Sequence, residues 1–193
     1  MNTDKSIRDN ILDCARGVFA QFGFRKTTLD DIASAAGKGK SSLYYYFKNK
    51  EEIFEEMIDR EINALKNDFI TSINKEVTPK QKLRKYIILR MELFSTMMSY
   101  YPTFRQEFGE YLTYIERIRA RYDAEEAEII KSILMLGVEK GEFNLPKLDL
   151  TVQVIIKAMK GFEFPWALEQ EKNDLEKDID AMLDVLFYGI VKR

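Results

Sequence analysis

No histidine occurs in the 193 residues, and Cys14 is the lone cysteine. The commonest general base and metal ligand is therefore missing, and a single thiol has neither a partner for an internal disulfide nor an imidazole to activate it. Carboxylates are plentiful but scattered beside lysines, with no paired cleft signature. No enzyme, no metal site and no cofactor is expected. Cys14 falls in helical step with Ile7, Ile11, Val18 and Phe22, which predicts an ordinary core position.

Long apolar runs are also lacking. The stretch from Val152 to Met159 is broken by Gln153 and Lys157, well short of the roughly 20 apolar residues that a membrane span needs. With no basic-then-apolar leader either, a cytoplasmic address with no membrane partner is expected. Sustained alternation of apolar and polar residues is absent as well, so strands are not expected.

What the sequence does have is helical periodicity almost throughout, predicting an all-α fold. A first helix is expected over about 5 to 22, ended by Gly23. Thr28, with Asp31 three residues on, caps a short helix through Ala35. Gly37 and Gly39 bracket a turn, a third helix runs from about Ser41 to Phe47, and Asn49 with Glu52 caps a long fourth helix. Pro79 opens a helix to about Ser99, and Pro102 interrupts the chain before a segment ending near Tyr114. Later helices are expected over about Asp123 to Lys140, Asp149 to Gly161 and Asn173 to Val191, with Pro165 kinking or interrupting the region between the last two. The division expected is residues 1–48 and 49–193, joined rigidly through the fourth helix.

Charge is unevenly shared between those parts. Residues 1–50 hold nine Lys/Arg against five Asp/Glu, while the remainder holds 21 against 27. A basic head on an acidic body suits one end that faces DNA. In that head, two short helices separated by a glycine turn have the layout of a helix-turn-helix, in which the second helix enters the major groove. Leu29, Ile32, Ala33, Ala36, Leu43 and Phe47 form the apolar set that packs on the first helix. With Leu43 and Phe47 turned inward, Lys40, Ser41, Ser42, Tyr44, Tyr45 and Tyr46 are left for the other faces. Lys and Ser suit base or phosphate acceptors, and tyrosine hydroxyls suit phosphates. Lys50, in the first turn of the fourth helix, adds a charge where free backbone N–H groups already favour an anion.

Residues 7–54 carry Phe22-Gly23-Phe24-Arg25-Lys26-Thr27-Thr28-Leu29-Asp30-Asp31-Ile32-Ala33 and Leu43-Tyr44-Tyr45-Tyr46-Phe47-Lys48-Asn49-Lys50-Glu51-Glu52-Ile53-Phe54, and they resemble the DNA-binding domain of the TetR family of repressors. The resemblance implies an all-helical regulator of about nine helices, dimeric through its last two. It implies that Thr27 and Thr28 meet phosphate, that Lys40 to Ser42 face bases, that Tyr44 to Tyr46 meet phosphates or bases, and that Lys50 anchors the fourth helix. Two positions depart from the family pattern: Lys38 stands where a small aliphatic residue is usual, and Ser41 where glycine is frequent. These point to an added phosphate contact from Lys38 and an added base contact from Ser41.

Beyond residue 55 the likeness fades to architecture. Met91, Phe94, Met97, Met98, Phe104, Phe108, Tyr111 and Leu112 form a methionine- and aromatic-rich stretch, with Arg90, Arg105 and Gln106 the nearest polar groups. Such residues line an adaptable pocket for a largely apolar effector or fill a helical core, and the pattern alone does not choose. Val152, Ile155, Ile156 and Met159, then Leu175, Ile179, Met182, Leu183, Leu186, Phe187 and Ile190, form apolar stripes on the last two helices. They suit a four-helix dimer interface or packing within the subunit. The expected function is a sequence-specific, homodimeric transcription regulator, a repressor released from a palindromic operator by a small molecule. The alternative is a ligand-independent architectural DNA binder or a helical adaptor.

Overall fold

The computed structural model describes residues 2–100, 117–168 and 175–189, and among them every regular element is an α-helix. The helices are α1 (Asn2–Lys26), α2 (Leu29–Ala35), α3 (Lys40–Tyr46), α4 (Lys50–Lys75), α5 (Pro79–Tyr100), α6 (Asp123–Glu139), α7 (Leu148–Leu168) and α8 (Leu175–Tyr188). The chain divides into two compact units, and the division falls at Asn67/Asp68 inside α4, later than the expected boundary at residue 48. The reason is that Ile53, Phe54, Met57 and Ile58 of α4 are buried like the core residues of α1 to α3.

In the N-terminal unit, Ile11, Leu12, Ala15 and Phe19 of α1 are buried together with Ile32, Ala33, Leu43 and Phe47. Three phenylalanines form its aromatic centre. Phe19 stacks on Phe24 at 5.6 Å, and Phe54 meets Phe19 and Phe24 edge-on at 5.3 and 5.1 Å. Such pairs contribute about 0.5–1.5 kcal/mol each beyond their buried area. The chain reaches Phe24 by turning at Gly23, where φ is 79° and ψ is 162°, a backbone region that is essentially glycine's alone. The α1 helix is thus broken at Gly23 as its sequence predicts. Two expectations for this face need correction. Cys14 is only half-buried, and Phe22 is exposed, because the turn at Gly23 presents Phe24 to the core in its place.

The C-terminal unit is built on Ile73, Leu83, Ile87, Met91, Ile130, Leu134, Val152, Ile156, Met159, Ile179 and Leu183, all buried in one cluster. Pro79 begins α5 in the first-turn position that proline suits, and Thr78 and Gln81 complete a reciprocal cap before it, Gln81 N donating to Thr78 Oγ1 at 3.2 Å and Thr78 N to Gln81 Oε1 at 3.1 Å. At the end of α6, Gly141 turns at φ 71° and the N–H groups of Glu142 and Phe143 both donate to Gly137 O, at 2.9 and 3.0 Å. Those bonds fold Phe143 back across residue 137, where a Cβ would overlap its ring. Phe143 in turn stacks on Phe187 of α8 at 5.6 Å.

Two helix ends differ from expectation. The α7 helix does not stop at Gly161 but runs through Pro165 to Leu168. A proline deletes one backbone donor, and here that loss is tolerated. Two residues earlier on the same helix, Glu163 is 1% exposed and paired with both Arg90 and Arg119. The last helix ends at Tyr188 rather than Val191, because Gly189 takes φ 69° and donates to Val185 O at 2.9 Å. Among the described residues no helix is long and apolar enough to cross a membrane, and no cluster of three His, Cys, Asp or Glu side chains is placed to hold a metal ion.

Candidate nucleic-acid interface

The arrangement starts from the cap of α2. Thr28 Oγ1 accepts from Asp31 N at 3.2 Å and Asp31 Oδ2 accepts from Thr28 N at 2.8 Å, the reciprocal cap that the sequence predicts. The Thr28 hydroxyl and then its backbone N–H hold the Asp31 carboxyl below the usual carboxylate range. The helix ends at Ala36 with Gly37 at φ 63°, Gly37 N donating to Ser34 O at 3.1 Å and Lys38 N to Ala33 O at 2.9 Å. Those two bonds define a Schellman turn, in which glycine relieves the positive φ. Gly39 then starts α3, its carbonyl accepting from Ser42 N at 3.0 Å and Leu43 N at 3.1 Å. A rigid corner between α2 and α3 follows from sequence-local bonds alone.

Leu43, with 0% exposure, and Phe47, with 1%, point inward, so the opposite side of α3 is open. Lys40, Ser41, Tyr44 and Tyr45 are exposed, and Lys38, Ser42 and Tyr46 are half-buried. Tyr45 and Tyr46 meet edge-on at 4.9 Å. Seven of the side chains singled out for DNA contact thus remain wholly or partly open at the start and along the sides of α3, with exposed Thr28 capping α2. The first of them is not idle: Lys40 Nζ lies 2.8 Å from Asp30 Oδ2, a pair that joins α3 to α2 and raises the Lys40 pKa.

Thr27 and Lys50 are placed differently. Thr27, expected to meet phosphate, is 1% exposed and its hydroxyl donates to Gly23 O at 2.6 Å, so the side chain braces the break in α1. Lys50 Nζ donates to the carbonyls of Phe24, Arg25 and Thr27 at 2.8, 3.1 and 3.0 Å, and sits 4.8 Å from the Phe24 ring centre. Its three protons are satisfied by the free carbonyls at the end of α1, rather than held out toward solvent. Asn49 Oδ1 accepts from Glu52 N at 2.8 Å as expected for the α4 cap.

Sequence reading overlooked Arg8. Its guanidinium donates to Tyr46 O at 2.7 Å and Glu56 Oε1 at 2.6 Å and lies 4.2 Å from the Phe47 ring centre. Glu56 raises its pKa, and the residue ties the end of α3 to α1 and α4. Partners 38 and 48 residues away leave no local signature. Asp30 was overlooked for the same reason, its partner lying across the turn.

In the C-terminal unit, the expected pocket residues divide. Met91 is 3% exposed and belongs to the core cluster, and Phe94 is half-buried beneath the Arg119 guanidinium at 5.6 Å. The side chain of Met98, with Phe104, Arg105, Phe108 and Tyr111, lies outside the described residues. Arg90 is not a free polar group: it pairs with Glu126 and Glu163. Glu126 also accepts from the Tyr86 hydroxyl at 2.6 Å, and burial first, then Glu126, pushes the Tyr86 pKa up. Arg119 closes the network on Glu163, and Lys160 joins Asp123 at 2.7 Å beside it.

The residues expected at a dimer interface also require correction. Val152, Ile156, Met159, Ile179 and Leu183 are buried within the subunit, and Met182 and Phe187 pack against the same core. Leu186 alone of the expected set is exposed, and the other large apolar side chains left open on these helices, among the described residues, are Leu150, Val154 and Phe162 on α7 and Val185 and Tyr188 on α8. The stripes are broad, and their more central halves face the subunit's own core.

Against known proteins, the model for bacterial regulatory proteins of the tetR family matches residues 11–57, the span of α1 to early α4. Over the longer chain, the similarity is 28% identity to the fatty acid metabolism regulator protein of Bacillus subtilis (strain 168), covering 93% of each. It is 26% to the probable acrEF/envCD operon repressor of Escherichia coli (strain K12), covering 92% of this chain and 83% of that one. The crystal structure of the transcriptional regulator FadR from Bacillus subtilis in complex with stearoyl-CoA superposes with a TM-score of 0.70 at 25% identity, over 94% of this chain and 98% of that one.

Proposed function

Since the chain belongs to the TetR family of bacterial regulatory proteins, we propose that it is a cytoplasmic homodimer that represses transcription from a palindromic operator until a largely apolar effector binds. The observation that carries this reading is the α2–α3 corner, with Leu43 and Phe47 locked inward and Lys40, Ser41, Tyr44 and Tyr45 on the open side. That layout presents donors of modest bulk at the leading end of a helix, where base edges are read, and hydroxyls behind it for phosphates.

The exposed apolar residues of α7 and α8 support self-association, since a second copy would cover Val154, Phe162, Val185 and Tyr188. A two-fold dimer sets its recognition helices roughly 34–36 Å apart, one turn of DNA. Effector binding in the C-terminal unit favours a state with different spacing, and DNA must weaken effector binding by the same factor. Because a regulator of fatty acid metabolism and a stearoyl-CoA complex stand among the similar proteins, long-chain acyl thioesters are the first effectors to screen.

The test is selection of genomic fragments by the purified protein, footprinting at physiological salt, and titration of stearoyl-CoA into the complex. A protected palindrome released by the thioester is the expected result. Salt-sensitive binding without sequence preference would overturn the regulator reading, and a palindrome indifferent to acyl thioesters would overturn only the effector class.

A further inference from the structure

Lys40 opens α3 and Asp30 lies in the first turn of α2, and their side chains, 57% and 58% exposed, meet at 2.8 Å across the corner. An exposed pair of this kind adds little stability. It lies, however, on the surface proposed to meet DNA, where a carboxylate is out of place: phosphate oxygens repel it. The α2 cap is completed by Thr28 and Asp31, so Asp30 adds only a first-turn charge and the exposed link to α3, both of which are small terms in stability.

The chemistry of the pair suggests a use. An ammonium has three protons, and Asp30 engages one, leaving two for other acceptors. Guanine offers two neutral acceptors, O6 and N7, on its major-groove edge. Phosphate offers charged acceptors, but to reach Lys40 it must approach the Asp30 carboxylate, and the pair as a whole carries no net charge to attract it. Resting on the DNA-recognition reading above, we infer that Asp30 is a specificity-determining residue, which withholds Lys40 from phosphates and fixes its ammonium for the two acceptors of a guanine.

The experiment compares the full-length wild type, Asp30→Asn, Lys40→Ala and the double variant. Each is titrated, over a range of salt concentrations, with a duplex recovered by selection and with a scrambled duplex of the same composition. Asp30→Asn should bind the scrambled duplex roughly 30- to 100-fold more tightly near 0.1 M salt and steepen its logarithmic salt slope by about 1.8, the increment of two added phosphate contacts, one from each protomer of the proposed dimer. Its preference for the selected duplex should fall, with guanine selectivity lost at one position in each half-site. In the Lys40→Ala background, Asp30→Asn should leave the slope unchanged.

Equal steepening with and without Lys40 overturns the inference, because it reduces Asp30 to general negative charge. A loss confined to the selected duplex also overturns it, assigning Asp30 a direct contact to a base. Silence of Asp30→Asn in a protein that does discriminate sequence overturns this inference alone, whereas a wild type without sequence preference removes the DNA-recognition reading beneath it.

Discussion

Around the α2–α3 corner charge is kept near water: Lys40 and Asp30 are more than half exposed, and Arg8, at the end of α3, meets Glu56 with about a third of each side chain open. In the C-terminal unit Glu163 is 1% exposed between two arginines that are themselves 15% and 17% exposed, and Glu126 is nearly as deep. Buried pairs recover their desolvation cost only while every partner is present, whereas exposed pairs can exchange partners freely. The contrast fits the proposed division of labour. A surface that must swap water and intramolecular partners for DNA keeps its charges labile, while the C-terminal unit's buried pairs link α5, α6 and α7.

The most severe test of this contrast is Glu163→Ala, which takes from Arg119 the carboxylate it meets and leaves Arg90 with Glu126 alone. Urea unfolding should show a loss of about 3–5 kcal/mol; a loss below about 1 kcal/mol would mean that water reaches the network, and the contrast would fail. Next in size, Lys50→Ala should remove about 1.5–3 kcal/mol, since a charged donor leaves three carbonyls. Its salt slope on DNA should match the wild type, and a slope flatter by about two units, one for each protomer of the proposed dimer, would return Lys50 to the phosphate surface. Thr27→Val should cost about 0.5–1.5 kcal/mol for one buried hydroxyl, with DNA affinity otherwise preserved. A loss of DNA affinity without loss of stability would restore the phosphate role expected from the sequence.

The smallest effect is the one that pH exposes. The folded state lowers the Asp31 pKa through the Thr28 hydroxyl and backbone N–H, so the cap's contribution is present above the ordinary carboxylate range and is lost as pH falls through the folded value. The stability difference between wild type and Asp31→Asn should therefore shrink below about pH 4. A difference that stays constant with pH would show that Asp31 caps through shape rather than charge.

What could be read from the sequence was whatever is encoded within about five residues. The Thr28 to Asp31 cap, the glycine turn at 37, the Asn49 cap, the Pro79 start and the Gly141 stop each carry their whole signal locally, and the folded chain makes those bonds. Partnerships across the fold were not legible. Nothing beside Lys50 says that carboxyl-terminal carbonyls of another helix will take its protons, and nothing beside Asp30 names Lys40. Pro165 even misdirects, because α7 continues through it to Leu168. Periodicity found the apolar stripes on α7 and α8 but not which half of each faces inward, since a stripe wide enough to serve two surfaces carries no label for either.

Gly137 and Phe143 illustrate how such a partnership constrains descent. Every single-base change in a glycine codon that yields another amino acid adds a Cβ, and at residue 137 any Cβ runs into the Phe143 ring. Alone, then, the position has no neighbouring genotype to visit. Should Phe143 first shrink, the way opens, and once position 137 has grown the return of phenylalanine is barred in its turn. The order of change is therefore fixed, and in descendants of this chain a side chain at position 137 should be found only where position 143 has lost its phenylalanine.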